Sequence, residues 1–170
     1  MSNLLFPVKD EYKITSFFGL RAAPTLGAST NHAGIDISVP EGTDVFSAIT
    51  GKVTSSGYNN ARGYNMTITG SDGTETIYQH LSGFMATLGQ SIKAGQKIGS
   101  SGNSGVSTGP HLHFEIHKDG KPVDPLTYYG ATPGEGAINT IQDAAAPVLD
   151  LLKEYWWAAA IGLVVLAITK

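Results

Sequence analysis

Short runs of alternating hydrophobic and polar residues recur from residue 4 to about residue 129, and Gly, Asn, Asp and Ser separate them. Alternation with a period of two is typical of half-buried β-strands, and the separating residues are those that form turns. No stretch in this region keeps the helical spacing of hydrophobic residues for more than a turn or two. The pattern therefore predicts a mainly β domain over residues 1–129, built as a small antiparallel sheet or sandwich.

Two segments show the predicted strands most clearly. Residues 44–57, DVFSAITGKVTSSG, are predicted as a strand that Gly51 interrupts. Residues 64–81, YNMTITGSDGTETIYQHL, are predicted as two strands joined around Asp72 and Gly73, because an Asp-Gly pair between alternating segments favours a hairpin.

The composition limits the kinds of site that this chain can build. It has no cysteine, which excludes disulfides and thiolate metal sites, so any metal must be held by histidines and carboxylates. Only 15% of the residues are charged, the net charge is −3 and no basic run is visible. We therefore predict no nucleic-acid partner.

Three of the five histidines lie in the segment GPHLHFEIHKDG, residues 109–120. In a strand, successive side chains point to opposite faces, so Leu112, Phe114 and Ile116 share an apolar face. A histidine-rich opposite face is either a solvated polar surface or a site for a metal or for catalysis. The residues of that face are His111, His113, Glu115 and His117.

A second cluster of potential ligands lies upstream, in NHAGIDISV. Catalytic zinc sites typically use three protein ligands, drawn from histidine and carboxylate. In one straight strand the Cα atoms of His32 and Asp36 would lie about 13 Å apart, too far to share an ion. We therefore predict a bend at Gly34, with His32 in a turn and Asp36 at the start of a strand. The chain has no HExxH helix motif.

Several motifs, taken in order, resemble those of the lysostaphin-type metallopeptidases, the peptidoglycan endopeptidase family M23. They are HAGID, EGTDVFSAITGKV, GYNMTI, YQHLS, GQSIKAGQKIGSSGNSG, STGPHLHFEI and GKPVDP, and they cover roughly residues 15 to 126. The resemblance implies one Zn²⁺ per chain with His32, Asp36 and His113 as ligands. It implies that His80 and His111 form the catalytic pair, and that the site lies in an open groove of a small antiparallel β domain.

The resemblance leaves some residues without an assigned role. His117 has none in the family pattern, and Glu115 either orients an imidazole or forms a surface salt bridge. His80 is predicted to end the second strand of the hairpin, and the glycine loop at 99–109 to form a wall of the groove. One departure follows Arg21, where the family often has a His-Pro pair and this chain has Ala-Ala-Pro.

The resemblance implies a zinc endopeptidase that cuts a stem-peptide or cross-bridge bond of peptidoglycan. Two other functions are considered. One is a catalytically silent domain of the same fold that binds or activates a partner while anchored in a membrane or virion. The other is a swinging-arm carrier domain, because IKAGQKIGSSG resembles half of a biotinyl or lipoyl sandwich. That function leaves four histidines unexplained, and Lys97 lies in no recognisable attachment hairpin.

The end of the chain has a different pattern. Residues 130–147 are predicted as a linker of small residues, and residues 148–170 as a hydrophobic α-helix that spans or inserts into a membrane. The 15 residues 155–169 carry no charge and would extend about 22 Å as a helix, whereas a spanning helix needs roughly 20 residues. Extension back to Val148 gives 22 residues but includes the charged residues Asp150, Lys153 and Glu154. A helix packed on a partner protein and a core helix are the alternatives.

The tail sets the predicted location. We expect membrane association through this helix, and the N-terminus lacks the basic region and apolar length of a secretory signal. A lytic enzyme in the virion membrane of a lipid-containing bacteriophage fits both features, with lipid and other virion proteins as partners. Export by another route and late release as a lysis enzyme are the alternatives.

Overall fold

The computed structural model describes residues 4–24, 26 and 29–129. Within these residues the chain forms short strands and one 3₁₀ turn, Pro125–Tyr128. The mainly β fold predicted from the alternation is confirmed. The strands are β1 Lys13–Ser16, β2 Gly19–Leu20, β3 Asn31–His32, β4 Ile35–Ser38, β5 Asp44–Phe46, β6 Gly51–Asn59, β7 Gly63–Thr69, β8 Glu75–Phe84, β9 Ser91–Ile92, β10 Lys97–Ser101, β11 Leu112–Lys118 and β12 Lys121–Val123.

Ten of these strands form one antiparallel sheet, in the order β1-β4-β11-β8-β7-β6-β9. β10 pairs with β5 and β8, β12 pairs with β11, and β2 and β3 form a separate two-stranded sheet. The histidine-rich strand β11 therefore lies between β4 and β8, in the interior of the sheet.

No helix among the described residues is long and apolar enough to cross a membrane. The predicted linker, 130–147, and the predicted hydrophobic helix, 148–170, lie outside the described residues.

One face of the sheet covers the core. Leu112, Phe114 and Ile116 are each 0% exposed, which confirms the apolar face predicted from the alternation of β11. Tyr78 of β8 is buried beside Phe114, with ring centroids 5.4 Å apart. Its hydroxyl accepts a hydrogen bond from the Ala48 amide at 2.8 Å, so the phenol is buried without leaving a polar atom unpaired. Burial raises the pKa of this Tyr78 hydroxyl.

The predicted hairpin joins β7 to β8, and Asp72 and Gly73 lie in its turn. Gly73 has φ +76°, which glycine adopts without the steric cost that a Cβ adds. The prediction at Gly51 was partly wrong. β5 already ends at Phe46, and Gly51 begins β6 instead of interrupting a strand.

β8 carries an irregularity at His80. Up to Gln79 the strand pairs with β11, and from Leu81 onward it pairs with β10. The register with β7 shifts at the same place, and His80 has φ +60°. The prediction that His80 ends the strand was therefore wrong, because β8 continues to Phe84. A bulge of this kind redirects a side chain without ending the strand.

Candidate metal centre

Three of the predicted site residues converge at one end of β4. His32 ends β3, Asp36 lies in β4, and His113 of β11 is the Cα partner of Asp36 across the two strands. His32 Nε2 lies 3.0 Å from His113 Nδ1 and 3.1 Å from Asp36 Oδ1. His113 Nδ1 lies 2.8 Å from Asp36 Oδ1. The three donor atoms could hold one metal ion, and they are the group predicted from the sequence.

A bend at residues 33–34 brings His32 and Asp36 together, as predicted. His32 itself belongs to β3 and not to the turn. The φ of Gly34 is not in the left-handed region. A Cβ built on Gly34 would lie 2.2 Å from the Phe114 carbonyl oxygen. Glycine is needed here because the bend passes against the backbone of β11.

The outer nitrogens of the two imidazoles fix their tautomers. His32 Nδ1 lies 2.8 Å from the Phe17 carbonyl oxygen, which can only accept, so Nδ1 carries the proton and Nε2 presents a lone pair. His113 Nε2 lies 2.9 Å from Glu115 Oε1, so in the neutral ring Nδ1 presents the lone pair. Two lone pairs and the Asp36 oxygen then face each other, and a shared cation relieves their repulsion. Imidazole nitrogen and carboxylate oxygen are donors that suit Zn²⁺.

Without a metal, a proton on His113 relieves the same repulsion between the lone pairs and the Asp36 oxygen. Burial alone lowers the pKa of His113, but its hydrogen bonds to Asp36 and Glu115 outweigh burial and raise it. Burial likewise favours the neutral Asp36 carboxyl, yet the contacts of Asp36 with the His113 and His32 rings hold its pKa well below the usual range. The cluster thus favours a negative carboxylate beside positive charge.

The contact of Arg21 with the site was not predicted from the sequence. Arg21 Nη1 donates to Asp36 Oδ2 at 2.8 Å and to the hydroxyl of Ser16. The carboxylate therefore has one oxygen toward the histidines and one held by a guanidinium. The available signal was a cation close in sequence to His32 and Asp36, in a chain with few charges.

Glu115 is buried, with 4% of its surface exposed, so the face of β11 that carries it is not a solvated polar surface. It accepts hydrogen bonds from His113 Nε2, from His117 Nε2 at 2.6 Å and from the Gln79 amide. Burial alone would raise the pKa of Glu115, but the two histidines lower it. Glu115 therefore orients the His113 imidazole and does not form a surface salt bridge, which was the other role considered for it. His117 in turn donates to Glu115.

The predicted catalytic pair lies beside this centre. The rings of His80 and His111 are 4.7 Å apart, and His111 Nε2 is 3.8 Å from Asp36 Oδ1. His80 Nδ1 donates to the Ser104 carbonyl at 2.7 Å, and His111 Nδ1 donates to the Gly109 carbonyl at 2.8 Å. Both neutral rings therefore keep Nε2 as a proton acceptor.

The pKa of His80 is lowered to about 4, chiefly by burial, although its hydrogen bond to the Ser104 carbonyl opposes that shift. The ring is therefore neutral at neutral pH. At the bulge in β8 the ring lies against the loop that carries Ser104, whose carbonyl accepts its Nδ1 proton.

The five predicted site residues, His32, Asp36, His80, His111 and His113, line a single groove of about 610 Å³. Val106, Ser107 and Thr108 form part of one wall, as predicted for the glycine loop, whereas residues 99–101 of that loop belong to β10. Arg21 and Arg62 lie on other parts of the lining.

Comparison with known proteins places this geometry in a family. The model of peptidase family M23 matches residues 30–125. ShyA of Vibrio cholerae, a peptidoglycan DD-endopeptidase, is 35% identical over 122 residues, which are 71% of this chain and 28% of that protein. The chain thus spans only about 28% of the length of such curated relatives.

Two solved structures are similar as well. A zinc-containing peptidase from Vibrio cholerae has a TM-score of 0.65 and 38% identity, covering 70% of this chain and 37% of that one. The catalytic domain of lysostaphin from Staphylococcus simulans has a TM-score of 0.64 and 32% identity, covering 71% of this chain and 93% of that one. The motifs, the antiparallel sheet and the matched residues agree, and the chain belongs to peptidase family M23.

Proposed function

We propose that this domain is a zinc-dependent endopeptidase that hydrolyses a peptide bond of bacterial peptidoglycan. The observation that carries the proposal is the assembly of His32, Asp36 and His113 around one point, with His80 and His111 beside it in an open groove. The peptidoglycan substrate rests on the family and on the activity named for ShyA.

The residues divide into those that hold the metal and those that move protons. His32 Nε2, Asp36 Oδ1 and His113 Nδ1 would hold Zn²⁺, which polarises a scissile carbonyl and lowers the pKa of water to about 7. His111 Nε2 is free to accept a proton from the attacking water, because the Nδ1 proton of the ring is held by the Gly109 carbonyl. His111 can then return that proton to the leaving amine.

His80 has a different part in this scheme. Its Nδ1 proton is committed to the Ser104 carbonyl, and its pKa of about 4 makes it a weak base. The neutral ring instead accepts a hydrogen bond at Nε2 and so orients the attacking water. All five residues are present and lie together, which favours an enzyme over a silent binding module of the same fold.

Digestion of purified peptidoglycan tests the proposal. Zinc-loaded full-length protein should release new amino ends from peptidoglycans, and mass analysis of the products identifies the bond. Chelation should abolish the release and added Zn²⁺ should restore it, whereas His111→Ala should remain inactive with zinc. A zinc-loaded protein that releases no amino ends from peptidoglycans of several bacteria would contradict the enzyme and leave the binding module.

We propose further that residues 148–170 attach the chain to lipid. The support is the sequence alone: the uncharged run 155–169, with paired tryptophans at its start and Lys170 at its end. Full-length protein should float with liposomes, and residues 1–129 should not. Leu163→Arg should reduce flotation, because a central arginine costs about 2.5–3.5 kcal/mol on insertion scales. Full-length protein that stays monomeric and soluble without lipid or detergent would contradict the anchor.

The location of this anchor in the membrane of a lipid-containing phage particle is a further prediction. Its test is the presence of the protein in the membrane fraction of purified particles, with detergent extraction as the control.

A further inference from the structure

Two arginines, Arg21 and Arg62, lie among the described residues of the groove lining, and Arg62 is the one without an anionic partner. It lies in the turn between β6 and β7, where Asn59 Oδ1 accepts hydrogen bonds from the Ala61 amide at 3.0 Å and the Arg62 amide at 2.7 Å. The Arg62 carbonyl accepts from the His80 amide at 2.9 Å. The backbone of Arg62 is thus fixed beside His80, while its side chain is exposed at the groove.

The other charges of the groove are already paired. Among the described lining residues the acids are Asp36 and Glu115. Asp36 is bound by Arg21 and by the histidines, and Glu115 is buried against His113 and His117. The lining charges cancel when the histidines are neutral, so a bound divalent cation would leave the groove doubly positive. The chain as a whole has net charge −3, so this positive region is local.

We infer that Arg62 binds a carboxylate of the substrate peptide, next to the scissile bond on the His80 side of the groove. A guanidinium forms two parallel hydrogen bonds with a carboxylate, and a neutral carboxamide cannot replace that charge-assisted pair. The preferred substrate is therefore an acidic peptide with a free carboxylate, in preference to its amidated form. This inference rests on the proposed endopeptidase function for its role in hydrolysis.

Two synthetic peptides test the inference. They carry a stem-peptide or cross-bridge bond of peptidoglycan and differ only in a carboxylate or a carboxamide beside it. Zinc-loaded full-length protein should favour the carboxylate peptide by about fivefold or more in kcat/KM, mostly through KM, because the contact is made before the reaction and persists through it. The preference should shrink with added salt, since Arg62 is exposed.

The variants locate the effect. Arg62→Gln should reduce kcat/KM for the carboxylate peptide much more than for the carboxamide peptide, and Arg62→Lys should retain part of the preference. Lys121→Gln, which removes an exposed cation outside the groove lining, should keep the wild-type preference. Equal hydrolysis of both peptides by the wild type, or an equal loss for both in Arg62→Gln, would overturn the inference.

Binding separates this inference from the proposed activity. The Kd of each peptide for zinc-loaded His111→Ala is measured by calorimetry, with and without Arg62→Gln. A carboxylate preference that depends on Arg62 supports the inference even if the wild type hydrolyses nothing, which would refute only the endopeptidase. No difference in Kd between the two peptides would overturn it even if peptidoglycan is digested.

Discussion

Arg21 Nη1 lies 2.8 Å from Asp36 Oδ2, while Asp36 Oδ1 faces His32 and His113. This division of the carboxylate leaves one oxygen for a metal and fixes the other. A residue such as Arg21, which binds a metal ligand without touching the metal, sets the orientation of that ligand. Its charge also contributes to the net charge of the site.

Replacement of Arg21 by Gln should weaken Zn²⁺ binding by about 10- to 100-fold, because Asp36 loses the contact that fixes its orientation. Arg21→Lys should bind more tightly than Arg21→Gln, since it keeps the charge without the planar fork. Competition with a chromophoric chelator measures the affinity. Arg62→Gln, the change at the only other arginine of the chain, is the matched control and should bind Zn²⁺ like the wild type. Equal affinity of the wild type and Arg21→Gln would contradict this role.

His32→Ala, Asp36→Ala and His113→Ala should each lose more zinc affinity than Arg21→Gln, because a site with three protein ligands has none to spare. Metal analysis after dialysis, together with circular dichroism to confirm folding, measures the outcome. Retention of one Zn²⁺ per chain by all three variants would refute the predicted ligand set.

His80→Ala and His111→Ala should retain Zn²⁺ and lose hydrolysis by about 10²-fold or more, because these residues orient the water and transfer its proton. The comparison of zinc content with the rate of peptide release distinguishes this role from metal binding. If His111→Ala loses the metal while His113→Ala keeps it, the ligand and the catalyst of this pair have been exchanged.

Gly34→Ala should destabilise the domain by about 1–3 kcal/mol or more, because the new Cβ would lie 2.2 Å from the Phe114 carbonyl oxygen. This clash can be relieved only by a shift of the backbone at the bend or in β11. Zinc binding should weaken in parallel, since the bend sets the spacing of His32 and Asp36. Gly57→Ala is the control, because a Cβ there meets nothing within 4 Å, and its stability should change by less than about 0.5 kcal/mol. Urea unfolding compares the two variants, and equal stabilities would contradict the close approach.

The pKa of His80, lowered to about 4 from the ordinary 6.5, predicts a dependence of stability on pH. Between these values the unfolded chain binds a proton that the folded chain does not, so this contribution to stability is present above pH 6.5 and is lost as the pH falls toward 4. His80→Asn should show a weaker fall in this range, and Asn also tolerates the left-handed φ of this position.

Urea unfolding from pH 7 to pH 4 with a chelator present measures this effect, since the chelator removes the separate pH dependence of metal binding. His117→Asn is a control that leaves His80 intact, and the fall attributed to His80 should persist in it. Parallel pH profiles for the wild type and His80→Asn would show that the His80 ring is not held neutral by burial.

The local parts of the fold could be predicted from the sequence. The two faces of β11 followed from alternation, because successive strand residues point to opposite sides wherever the strand is placed. The turn at Asp72 and Gly73 followed from residues that prefer its backbone conformation. The ordered motifs indicated the M23 family, and with it the residues that the structure brings together.

The sequence by itself determined which side chains are available: five histidines, few charges, no cysteine and an alternating pattern that makes strands. Only the tertiary structure decided how they meet. The burial of Glu115 and the lack of room for a Cβ at Gly34 join segments that lie far apart along the chain, and the contact of Arg21 with Asp36 requires the chain between them to fold back. The bulge at His80 arises where β8 exchanges one neighbouring strand for another. Such features depend on strand pairing between distant segments, which local propensity does not encode.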